Sequence, residues 1–139
     1  MALTKKQRAD LRLKFGGRCA YCGCDLPEKG WHADHVEAAL RKWEFGPRRQ
    51  DGTRRTVAIG EHWRPENDVI GNLFPACAPC NLFKATFTLE SFRKQIAEQT
   101  KRARLYSVNF RTAERFGLIE VVEKPVVFWF EQYQAETNP

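Results

Sequence analysis

Two cysteine pairs, Cys19-Ala20-Tyr21-Cys22 and Cys77-Ala78-Pro79-Cys80, set the strongest limit on how this chain folds. Each Cys-x-x-Cys turn holds two thiols side by side. Two such turns supply the four soft ligands of a closed tetrahedral zinc site. The stretch between them, positions 23–76, is much longer than the ~15–20 residues of a simple four-cysteine finger. It must therefore be a structural unit of its own that leaves the metal and returns. Cys24 is left over and reads as a spare thiol. A core built from 139 residues has an unfavourable surface-to-volume ratio, and a structural metal offsets that.

The length predicts one domain over residues 1–139. With 42% hydrophobic and 29% charged residues, the chain is neither disordered nor fibrous. No apolar run approaches the ~18 residues of a membrane span. The stretch Met1-Ala2-Leu3-Thr4-Lys5-Lys6 lacks the apolar core of a signal peptide. A cytoplasmic protein is expected, in which thiols stay reduced and paired cysteines bind metal. The net charge of +6 suits a polyanionic partner. The cations cluster in residues 1–18, 41–55 and 93–115, whereas the last twenty positions carry Glu120, Glu123, Glu131 and Glu136 against Lys124.

The pattern predicts a first helix capped by Thr4 and running to about Phe15, with Gly16-Gly17 as its stop. Residues 31–38 read as a strand. Residues 40–70 are rich in Arg, Gly, Asp and Pro without periodicity, and read as a long functional loop. A short helix is expected from the second cysteine pair through Lys84. A longer one, capped by Thr88, should carry Leu89, Phe92 and Ile96 on one face to about Arg104. A third is expected from Ser107 to Phe116, ended by Gly117. Residues 118–122 and 126–130 flank Glu123-Lys124-Pro125 and predict a terminal β-hairpin with Pro125 at an edge.

Between the pairs lies Trp31-His32-Ala33-Asp34-His35-Val36, followed by Glu66-Asn67-Asp68 and Asn72-Leu73-Phe74-Pro75-Ala76. The second pair leads into Asn81-Leu82-Phe83-Lys84, then Thr88-Leu89-Glu90-Ser91-Phe92-Arg93. Over residues 11–96 this series resembles the HNH endonucleases of the ββα-metal, or His-Me finger, superfamily, in a four-cysteine variant common among short phage and prophage proteins. The resemblance implies an α+β fold: a small, treble-clef-like, zinc-stapled nuclease core with flanking helices, and a helical and hairpin extension over 97–139.

The resemblance also implies roles. Asp34 would bind a catalytic Mg²⁺ or Mn²⁺, with Asn81 as second ligand where many relatives have a histidine. His35 would be the general base, and Asn72 would hydrogen-bond across the loop to orient it. Cys19, Cys22, Cys77 and Cys80 would hold a structural Zn²⁺. The chemistry is coherent: a carboxamide oxygen is a hard ligand suited to Mg²⁺. A divalent ion screens phosphodiester charge, and an unperturbed imidazole, with pKa ~6.5, accepts protons near neutrality. Adjacent strand residues point to opposite faces, so Asp34 and His35 share a site only where the strand ends or bulges. Lys84 is expected to contact phosphate, and Arg41, Lys42, Arg48 and Arg49 to form a collective electrostatic surface for nucleic acid. His32 and His62 read as packing histidines, His62 beside Trp63, and Glu37 as a weaker orienting group. The expected substrate is DNA, with RNA left open, and a single active site should nick. The competing readings are a catalytically silent zinc-stapled nucleic-acid-binding module and a phage packaging or anti-defence interaction protein. A homodimer or a packaging partner is the protein contact left open.

Overall fold

Residues 1–137, the part of the chain that the computed structural model describes, form six α-helices and two separate two-stranded antiparallel sheets. The fold class is mixed α+β, as expected. Helix α1 (Lys5–Arg12) opens with a capping box: the Thr4 hydroxyl accepts from the Gln7 amide, and the Gln7 side chain accepts from the Thr4 amide. It stops sooner than expected, in a series of turns through Gly16 and Gly17, both with positive φ. Leu11 and Phe15 are buried all the same.

Strand β1 (His32–His35) pairs with β4 (Leu73–Ala76), with His32 opposite Ala76 and His35 opposite Leu73. Helix α2 (Ala78–Lys84) follows directly, with Cys77 at its N-cap. The expected long loop over 40–70 is instead largely a β-hairpin, β2 (Arg41–Arg48) and β3 (Arg54–His62), followed by two short 3-10 turns, Pro65–Asn67 and Ile70–Asn72. The reason is physical: both faces of this ribbon are open to solvent, so its residues carry no inward-outward alternation to betray a strand.

Helix α3 (Leu89–Ala97) is capped by the Thr88 hydroxyl, and α4 (Gln99–Tyr106) follows after a bend at Glu98 within the single helix expected there. Helix α5 (Val108–Arg115) is capped by Ser107 and closed by Gly117 at φ +70°. The expected terminal hairpin is absent. Residues 118–128 carry no strand, and α6 (Trp129–Thr137) is the last element of the described residues. Val126, Phe128 and Phe130 of this apolar run serve the core. Phe128 is buried between Tyr21 and Phe92, with ring centroids 5.4 Å from each. The Trp129 and Phe130 amides donate to the Tyr21 and Ala20 carbonyls of the first cysteine turn rather than to a partner strand. Arg93 holds the segment from the other side, donating to the Val126 carbonyl and pairing with Glu131 while lying over the Phe128 ring.

The core is therefore aromatic and centred beside the cysteines. Phe15, Phe74 and Phe130 pack on the side of the β1–β4 pair, and Tyr21, Phe92 and Phe128 on the side of α3. None of the described helices is long and apolar enough to cross a membrane.

Candidate metal centre and adjoining cleft

The first cysteine turn is shaped by its backbone. The Cys19 amide donates to the Cys24 carbonyl at 2.8 Å and the Gly23 amide to the Cys19 carbonyl at 3.0 Å. Gly23 takes φ +78°, and a Cβ there would lie 3.3 Å from Trp129 Cβ, so both conformation and space favour glycine. The Ala20 amide donates to the Pro75 carbonyl at 2.9 Å, which ties this turn to β4 and so to the second pair.

The sulfurs of Cys19, Cys22, Cys77 and Cys80 all lie within 4.8 Å of one another, and Cys22 Sγ is 3.7 Å from Cys77 Sγ. A tetrahedron with metal–sulfur bonds of 2.3 Å has an edge of about 3.8 Å, so the four thiols fit a structural zinc ion. Cys24 is exposed and outside this set. The hydrogen bond from Cys80 holds the Cys19 thiol down at about 4. Cys80 is pushed up by that same bond and by burial, and Cys77 by burial. A divalent ion bound by the four sulfurs would displace the thiol protons that remain on them.

Beside this centre is a cleft of about 390 Å³ whose lining includes Asp34, His35, Asn81, His62 and Arg41. Strand β1 ends at His35, which meets the condition for two adjacent residues to line one cavity. Asp34 is buried. Its Oδ2 accepts from the Tyr21 hydroxyl at 2.5 Å and lies 3.0 Å from Lys84 Nζ. Burial raises the Asp34 carboxyl above its ordinary value, opposed by the Tyr21 hydrogen bond and the Lys84 charge. Its Oδ1 makes no hydrogen bond among the described residues and is not sealed away from solvent. That leaves one hard oxygen open to a cation.

His35 Nε2 is 2.8 Å from Asp68 Oδ1, and His62 Nδ1 is 3.7 Å from Asp68 Oδ2. The Met1 ammonium, 2.7 Å away, and then His35 hold the Asp68 carboxyl down at about 2. Sequence reasoning missed Asp68 and Tyr21 as partners of the Asp-His pair. Each lies remote in the chain, and only the folded register brings them in.

Two expectations are corrected. Lys84 is fully buried and donates to the His35 carbonyl at 2.8 Å, so it is a strut under the Asp34-His35 corner and has no exposed ammonium for phosphate. Asn72 does not meet the His35 ring. Its side chain accepts from the Glu37 amide and donates to the Glu37 and Asn67 carbonyls, closing the loop behind His35. Asp68 holds the ring instead. His62, read as a packing histidine beside Trp63, faces Asp68, and the Trp63 ring stays largely exposed with Lys42 Nζ 4.7 Å from its centroid. His32 is exposed. Arg41 sits at the base of the β2–β3 ribbon, at the cleft; Lys42 pairs with Glu61, and Arg48 and Arg49 lie at the exposed far end. Compared with family models, with curated proteins and with solved structures, the chain matches none of them.

Proposed function

We propose that this protein is a metal-dependent endonuclease of the HNH type, hydrolysing phosphodiester bonds in DNA. The observation that carries this reading is the shared cleft of Asp34, His35 and Asn81, set beside a four-cysteine cluster that joins the first cysteine turn to the start of α2, directly after the paired strands β1 and β4. Asp34 Oδ1 and the Asn81 carboxamide are hard donors that would hold Mg²⁺ or Mn²⁺. When bound, the ion would screen the phosphate charge and stabilise the leaving oxygen. With Asp68 accepting the Nε2 proton of neutral His35, Nδ1 is the basic nitrogen that takes a proton from water as its oxygen attacks phosphorus. Asp68 stays ionised at neutral pH and fixes that tautomer. Arg41, at the edge of the same cleft, would bear on the phosphate.

Purified protein incubated with supercoiled plasmid should convert it to the open circle with Mg²⁺ or Mn²⁺ and leave it intact without either ion.

One observation favours a second reading. Lys84 already neutralises Asp34 from within, as in a zinc-stapled module that binds nucleic acid without cutting it. Plasmid bound and retarded by the protein, yet never nicked in either metal, would select that reading.

A further inference from the structure

The β2–β3 ribbon is absorbed neither by the core nor by the cleft, apart from its base. Trp43 and Phe45 are 55% and 60% exposed, and their rings meet edge to face at 5.2 Å. Side chains alternate along β3, so Arg54, Thr56 and Ala58 share one face; their cross-strand partners Arg48, Phe45 and Trp43 lie on that face too. The result is two solvent-facing aromatic rings with a pair of arginines beyond them. Arg48 stands directly across from Arg54, a like-charge pairing that costs stability in an isolated ribbon. Among the described residues, no carboxylate pairs with Arg48, Arg49, Arg54 or Arg55, and Asp51 at the turn is taken by Thr53. Arginines held together without ion-pair partners, beside flat apolar rings, complement a strand that offers both phosphates and unstacked bases.

A two-stranded ribbon also has the width to enter the major groove of a duplex. Groove reading needs hydrogen-bonding side chains aimed at base edges. Here the face that carries Arg48, Arg54 and Thr56 also presents the exposed rings of Trp43 and Phe45. Such rings stack on any unpaired base, a contact that the closed base stack of a duplex does not offer.

Resting on the nuclease reading above, we infer that the β2–β3 ribbon is a single-strand-binding arm, on which unpaired bases stack against Trp43 and Phe45 while Arg48 and Arg54 hold the flanking phosphates. Because Arg41 at the base of the ribbon borders the cleft, the arm would select substrates with unpaired nucleotides beside the scissile bond.

The test measures binding of the whole zinc-loaded protein to a labelled oligothymidylate of about 12 nucleotides and to a duplex of equal length, with no Mg²⁺ present. The single strand should bind roughly 10-fold tighter or better, with each ring contributing roughly 5- to 100-fold. Trp43→Leu with Phe45→Leu keeps apolar bulk but removes the rings, and should lose that affinity. Trp43→Phe with Phe45→Tyr keeps flat rings and should retain most of it. Arg48→Ala and Arg54→Ala should each flatten the slope of log affinity against log salt by about 0.7. Equal or tighter duplex binding, undiminished binding by the leucine variant, or a parent dimer that this variant dissociates would each overturn the inference. A parent that binds single strands in this way but nicks no plasmid would overturn the reaction proposed above and leave the arm standing. A parent that nicks yet ignores loss of the rings would overturn the arm alone.

Discussion

Lys84 Nζ lies 3.0 Å from Asp34 Oδ2; Lys84 is fully buried, and Asp34 is buried apart from its open Oδ1. The ammonium also binds the His35 carbonyl, so one buried cation supports both residues of the Asp-His corner. Removing one partner of a buried pair leaves the other charge uncompensated, at a cost of about 3–5 kcal/mol. Lys84→Met should therefore lower the urea midpoint sharply while the protein still takes up zinc. A midpoint within error of the parent would mean that Lys84 is not the strut.

Asp68 orients His35 through Nε2. Asp68→Asn should slow cleavage by less than the roughly 10²–10⁴-fold expected for loss of the base itself, with KM nearly unchanged. Steady-state kinetics on a nicked-product assay would show this. A large rise in KM with kcat intact would instead place Asp68 in substrate binding.

The same carboxylate has a pH signature. Its folded value, about 2, lies below its ordinary one because the Met1 ammonium and His35 favour the charged form. A depressed carboxyl contributes stability above its unfolded value of about 3.9, and that contribution fades as pH falls toward 2. The parent should thus be more stable than Asp68→Asn at pH 7, and the gap should narrow below about pH 4. Zinc loss in acid affects both proteins alike, so the difference between their chemical-denaturation midpoints is the quantity to follow.

Cys77 and Cys80 are raised by burial and by the neighbouring Cys19 thiolate, and so hold their protons at neutral pH. Zinc uptake should release at least those two protons and tighten as pH rises. Calorimetry in buffers of different ionisation enthalpy would count them. Cys80→Ser should bind zinc far more weakly and lose cooperative unfolding; zinc-free protein as stable as the parent would remove the metal from the fold.

Phe128 is 1% exposed and stacks with Phe92. Phe128→Ala should cost about 3–5 kcal/mol, read from urea unfolding, because the C-terminal segment is core rather than an appended hairpin. A loss under about 1 kcal/mol would fit a segment that merely rests on the surface.

The cysteine cluster was legible because its chemistry depends on local spacing: Cys-x-x-Cys turns are preformed ligand pairs wherever they fall. The caps at Thr4 and Thr88 and the start of a helix near Ser107 were legible for the same local reason. What escaped was what depends on the register between distant segments. Tyr21 meets Asp34, and Asp68 meets His35, only once β1 pairs with β4 and the loop folds back. Lys84 was misread because lysine is seldom fully buried, and a cation inside α2 is explained only by the carboxylate beneath it. The run 126–130 has strand composition, but its free amides found the cysteine turn instead. The ribbon, solvated on both faces, left no periodic trace.

The central claim is that His35 removes the proton from the attacking water. The most direct measurement is the single-turnover rate of plasmid nicking in Mg²⁺ by zinc-replete parent and zinc-replete His35→Ala, with zinc content and thermal midpoint checked in both. A fall of roughly 10²–10⁴-fold in a variant that keeps its zinc and its fold is the predicted result. Equal rates in the two proteins would contradict it.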